Sequence, residues 1–340
     1  MGLKDPSIFI PLATEDLLFL IQRVLFGISC FLHVPAISCL LWQTPPHQNM
    51  IKPYLVTCQV RRMLLLICSR FLVQICVVVC DMYFSVFFEP ILIGDIFGGY
   101  CRGIFCSAVG TARAMAAYII LDAILVLVIL ACILERHQAM MPSGNFFKLQ
   151  RRTKIAIFVV VFLVCGTPTT VFTTYPFSVL ESDKLINESI FDIAWIRERS
   201  PYVILPDNIF MHTIIWLAAT AMHRKLIISI ALIVGNAPFY HMFYVLNQEV
   251  HRSKRTKSLI QLSLKRLYAQ ISVPIFLLGI PLNIFFLQAG ARCFPFMFAT
   301  VAPFTICFHP IFHNLILLLV IPTYRRAIVD SVRVWKWGSK

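Results

Sequence analysis

Residues 104–133, IFCSAVGTARAMAAYIILDAILVLVILACI, carry only two charges, Arg113 and Asp122, in thirty positions. A helix of that length reaches about 45 Å at 1.5 Å per residue, more than the ~30 Å hydrocarbon core of a bilayer. Where water is absent the backbone must satisfy its own hydrogen bonds, so so apolar a run is read as a membrane-spanning helix. Six further runs of the same kind flank it, at 16–42, 63–88, 154–175, 225–246, 267–288 and 297–321. Together they predict an all-α integral membrane protein, a seven-transmembrane helix bundle.

Composition agrees, with 59% hydrophobic residues and only 14% charged. The loops leave no space for a separate globular unit, so residues 1–340 are expected to form one transmembrane domain ending in a basic tail, 322–340. The first apolar run is too long for a signal-peptide core and is expected to remain as the first span. Segment 209–221, IFMHTIIWLAATA, is too short to cross. It is expected to be interfacial or an extension of the fifth helix.

Orientation follows from charge. With the N terminus outside, the inner loops 43–62, 134–154 and 247–266 and the tail hold nineteen Lys and Arg against Glu135, Glu249 and Asp330. Basic loops stay cytoplasmic, so the net charge of +14 is an orientation signal and an attraction to an anionic inner leaflet. It needs no nucleic-acid partner. The sequon Asn187-Glu188-Ser189 then falls in the long outer loop, as a glycosylation acceptor should.

Ionisable groups inside a span are costly, and they pair, snorkel or line a functional cavity. Arg23 and Arg70, about two turns from the nearer helix ends, are expected to snorkel. Asp81 and Arg113 lie deeper, at similar heights below the outer surface, and are predicted to pair at the floor of a ligand cavity. Arg113 and Asp122 are nine residues apart and fall on opposite faces of the third span. Pro274 and Pro281 in the sixth span, with Pro303 and Pro310 in the seventh, each remove a backbone donor and are predicted kink sites. His309 and His313 share a helix face but lack a third ligand nearby, so no metal or other cofactor is implied.

Of twelve cysteines, Cys101, Cys106 and Cys293 fall at or near the outer surface, and Cys101 with Cys293 is the expected disulfide if one forms. On the inner side, Glu135 and Arg136 close the third helix. Arg252, Lys254, Arg255, Lys257, Lys265 and Arg266 make the third inner loop a basic amphipathic extension of helix six, suited to a cytosolic partner.

The chain resembles the nematode seven-transmembrane chemoreceptors of the Srh class in the Str superfamily, with the Sri class as neighbour. The resemblance is carried by Thr44-Pro45 with Met50 and Lys52, by Asp81 and Glu89-Pro90, by Leu134-Glu135-Arg136-His137, by SLIQLSLKRLYAQISVPIFLLGIP at 258–281, and by Pro322, Tyr324 and Arg325. It implies a G-protein-coupled receptor for small environmental molecules, displayed on sensory cilia, with Glu135-Arg136 resembling the charged pair of receptors at that position. The chain departs from common receptor patterns in lacking Asn-Pro-x-x-Tyr in helix seven, in having His313-Asn314 where the class tends to have His-Gly, and in having no cysteine in the loop after helix four. No nucleophile–base pair or phosphate loop supports an enzyme. A transporter or ligand-gated channel subunit is the alternative from another class, disfavoured because its prolines would be spread over both halves.

Overall fold

The computed structural model describes residues 8–42, 71–96, 98–141, 144–145, 147–174, 179–189, 191–199, 201–204, 239–248, 254–281, 284, 288 and 294–338. The segment 209–221, Arg70, Arg252 and Cys293 lie outside them. Among the described residues four helices are long and apolar enough to cross a membrane: α1 (Leu12–Trp42), α2 (Phe71–Phe88), α3 (Thr111–Met140) and α8 (Phe296–Val320). Between them run α4 (Arg151–Thr174), α5 (Val179–Glu188), α6 (239–248) and α7 (Lys254–Pro274), and α9 (Pro322–Gly338) closes the chain. The crossing helices bury about a third of their apolar windows or less, apart from α8. An apolar solvent around the bundle lets the remaining side chains point outward, which a water-soluble core would not tolerate.

The helices are not regular throughout. The last turn of α2, Tyr83–Phe88, is a π-helix, and α7 passes after Pro274 into a π turn, Ile275–Gly279. In α8 the six residues Ala302–Cys307, including Pro303, tighten to a 3-10 helix before Phe308 resumes the α form, with Pro310 in its first turn. Proline withholds a backbone donor, and neighbouring turns rearrange around the gap. Pro281 is buried at the end of the stretch that follows Gly279.

At the end of the bundle that carries residue 8, here the N-terminal face, three strands form an antiparallel sheet in the order β1 (Pro90–Ile93), β2 (Gly98–Cys101), β3 (Tyr202–Ile204). β1 and β2 are a hairpin in the loop after α2, and β3 comes from the loop after α4. Glu89 starts this lid with φ 41°, the one non-glycine positive φ among the described residues, and its N–H bonds back to the Phe84 carbonyl to end the π turn. The chain then returns so closely that a Cβ at Gly103 would lie 2.2 Å from the Phe87 oxygen. Only glycine fits there. Ile8, Ile10, Ile91, Ile93, Tyr100 and Ile196 bury a hydrophobic core beneath and within the lid.

Candidate functional site

Helix geometry assembles the polar core. Ser29 and His33 are one turn apart on α1. Gln74, Asp81 and Ser85 recur at spacings of seven and four on α2 and therefore share a face. Asn314 comes from α8. All six are buried. Ser29 donates to Asp81 Oδ2 and sits 3.0 Å from His33 Nε2, which is itself 3.4 Å from the same carboxylate oxygen. On the other edge of the ring, Gln74 Nε2 and Asn314 Nδ2 approach His33 Nδ1 at 3.0 and 2.9 Å. Two N–H donors on Nδ1 make it the acceptor, so the imidazole proton is assigned to Nε2, facing Ser29 and Asp81. A further bond from Gln74 Nε2 to Asn314 Oδ1, 2.7 Å long, ties α2 to α8. These bonds rigidify the packing of three helices in a medium where unpaired polar groups are expensive, although Gln74 Oε1 has no partner among the described residues.

Beside it lies a cavity of about 20 Å³ lined by Cys80, Asp81, Phe84, Tyr118, Asp122 and His309 among others. That volume admits about one water-sized group. A drug-sized ligand site is larger by more than tenfold, roughly 300–1,000 Å³. Asp81 Oδ2 is occupied by Ser29 and His33, whereas Oδ1 receives only Ser85 at a long 3.4 Å. His309 is buried and its Nε2 has no hydrogen-bond partner among the described residues; the same holds for Nδ1 of His313, whose ring is 5.9 Å away. No group of three His, Cys, Asp or Glu with metal-binding geometry occurs among the described residues.

The expected Asp81–Arg113 pair is not formed. Arg113 is exposed on the outer surface of α3, while Asp81 faces inward onto α1. Helical rise fixes the depth of a side chain and leaves its azimuth open, and here the azimuths diverge. Asp122, on the face of α3 opposite Arg113, is the residue that reaches the cavity with Asp81.

Arg23 departs from expectation as well. It makes two parallel bonds to Glu89, Nε to Oε1 at 2.8 Å and Nη2 to Oε2 at 3.0 Å, rather than simply snorkelling. Planar, bidentate pairing of this sort is the strong form of the ion pair. A second acid, Glu15, is buried in the first turn of α1 and holds the lid: it accepts from the Tyr100 hydroxyl at 3.0 Å, with Arg199 Nε at 3.0 Å and Arg102 at 3.8 Å. The Arg199 approach is an ion pair without an aligned N–H bond. Burial first, and then the Glu15 carboxylate, push the Tyr100 phenol well above its ordinary range. Sequence reasoning had passed over Glu15, Tyr100 and Arg199, although an acid at the start of the first span was the available signal.

The expected Cys101–Cys293 disulfide is overturned, because Cys101 is bonded to Cys106. The strand-to-helix turn through Gly103 brings the two together across five residues. Asn187 is exposed near the end of α5, and its Oδ1 accepts from Arg197 at 2.8 Å.

At the opposite end, the tail face, Glu135 pairs with Lys154 at 3.2 Å across α3 and α4, and Arg136 is half-buried. Gln138 takes the Leu149 N–H and donates to the Phe147 carbonyl, folding the connecting loop against α3. His137 and His241 bring α3 and α6 within 3.0 Å. Helix α7 begins at Lys254, with Lys254 and Lys265 exposed and Lys257 half-buried near the Asn247 carbonyl at 3.5 Å, while Leu264 and Leu267 bury against Ile133, Phe239 and Met242. Arg255 and Arg266 are on the same helix. Lys254 and Lys265 thus stand on the exposed side of a helix whose other side buries Leu264 and Leu267.

A family model described as Serpentine type 7TM GPCR chemoreceptor Srh matches residues 13–334. No curated protein matches the chain. The matched span runs from the first turn of α1 through most of α9, taking in the polar core, the lid and the tail-face helices, and the chain therefore belongs to the Srh family of serpentine seven-transmembrane chemoreceptors.

Proposed function

We propose that this multi-pass membrane receptor binds a small environmental molecule within the half of the bundle nearer the N-terminal face and signals to a heterotrimeric G protein at the tail face. The N terminus is outside, and the protein is displayed on sensory-neuron cilia. The observation that carries this reading is the polar core: family membership supplies the receptor class, and His33, Asp81, Gln74 and Asn314 tie α1, α2 and α8 together, so a ligand that moves any of these helices must rearrange them. A ligand shifts a receptor only by its differential affinity for two arrangements of such an element. The π turn after Pro274 and the 3-10 turn around Pro303 supply backbone that can rearrange at modest cost.

The coupling surface takes in Glu135, Arg136, Lys254, Lys257 and Lys265 of the tail face, with Arg252, Arg255 and Arg266 assigned to it from the sequence alone, and its excess of basic residues also favours an anionic inner leaflet. No enzymatic chemistry is assigned. A cell-based screen of small molecules with a promiscuous G protein tests the proposal, with a glycosylation shift lost in Asn187→Gln and an unmodified C-terminal reporter as its orientation arm.

A further inference from the structure

Two carboxylates, Asp81 and Asp122, face one cavity whose described lining holds no lysine or arginine. In a bilayer such groups demand compensation. Asp81 has part of it from Ser29 and His33, yet its Oδ1 keeps unused acceptor capacity. His309 adds a buried, unpartnered imidazole nitrogen to the same wall. Tyr118 and Phe84, with ring centroids 5.2 Å apart, add aromatic surface.

From these features we infer that the cavity is a subsite for the charged end of a primary amine. This rests on the receptor reading above and names the chemistry of the ligand. A primary ammonium has three N–H donors, and the lining offers three acceptor groups: Asp81, Asp122 and the unpartnered Nε2 of His309. The cation–π attraction of Tyr118 or Phe84 favours the same group. Room for about one water-sized group fits an –NH₃⁺ and excludes a quaternary ammonium. A hard metal cation would want a full shell of oxygens, whereas beyond the two acids and one phenol the lining is apolar, sulfur or imidazole.

The test uses the full-length receptor in nanodiscs, with thermal unfolding followed in methylammonium chloride and, at matched concentration, in sodium chloride, tetramethylammonium chloride and methanol. The midpoint should rise with methylammonium beyond the sodium control and stay level in the other two, as mass action on the folded state requires. In Asp122→Asn the apparent affinity for methylammonium should fall at least tenfold. The wild-type series decides the matter alone if that variant does not fold. An absent rise, an equal rise in sodium, a rise with methanol, or one that Asp122→Asn keeps overturns the subsite. The measurement needs no G protein: a receptor that ignores amines but activates a G protein with a neutral compound loses this inference and keeps the proposed function. One that binds methylammonium yet never couples does the reverse.

Discussion

Arg23 on α1 and Glu89 at the end of α2 are joined by two hydrogen bonds across a sequence separation of 66 residues. Glu89 is buried and Arg23 is largely exposed, so the pair stands at the edge of the bundle with its carboxylate turned in. The same Glu89 residue takes the left-handed turn that launches the lid, which couples the α1–α2 contact to the position of β1.

Removing the guanidinium should therefore strand a buried carboxylate. Arg23→Gln is expected to destabilise by about 1.5–3 kcal/mol, the worth of a charge-assisted hydrogen bond. Double replacement with Glu89→Gln should recover part of the loss. Thermal unfolding in nanodiscs checks it, and strictly additive losses would deny the pairing.

Asp81 should couple to His33 and not to Arg113. A double-mutant cycle of Asp81→Asn with His33→Gln is expected to show an interaction of roughly 0.5–3 kcal/mol, while Asp81→Asn with Arg113→Gln adds within about 0.5 kcal/mol. Surface expression and unfolding midpoints of the five variants and the wild type report both cycles.

Peptide mapping without reduction should recover Cys101 linked to Cys106. A peptide joining Cys101 to Cys293 would contradict the local bridge and restore a link between the lid and the loop before α8.

The lid carries a pH signature. The Asp183 carboxyl accepts from the Tyr202 hydroxyl at 2.7 Å and from Arg197 at 2.6 Å, and these bonds, Tyr202 first, hold it below its ordinary range. A depressed folded value means that the stabilisation is present above the unfolded carboxylate pKa of about 3.9 and is lost as pH falls through the lower folded value. Protection factors of the described amides within 179–204, with the intrinsic pH dependence of exchange divided out, should thus be unchanged between about pH 7 and 5 by this group and fall only below about pH 4. Asp183→Asn should show the lower protection already at neutral pH.

The bundle was legible because the bilayer imposes one crude demand, long apolar helices, which the runs at 16–42, 104–133 and 297–321 meet in sequence alone. Asp81 was legible as an expensive group. Its partners were not, because Ser29 and His33 are ordinary residues on another helix and become partners only through helix packing. Arg113 matched Asp81 in depth and missed it in direction. The lid was hidden for a different reason: strands of three or four residues around Gly98 and Gly99 carry almost no periodic signal, and β2–β3 pairing joins segments about a hundred residues apart. Cys106 was overlooked as a partner because its reach to Cys101 depends on the tight return at Gly103.

The account's central claim is that a ligand held in this bundle drives a G protein at the tail face. Guanine-nucleotide exchange on a purified heterotrimer, with the receptor in nanodiscs and a compound taken from the cellular screen, measures that directly. Exchange should accelerate with ligand and fall back in Asp81→Asn variants that remain folded. Basal exchange at saturating ligand, with ligand-dependent flux when the same protein is placed in liposomes, would contradict the account and make the protein a transporter or channel.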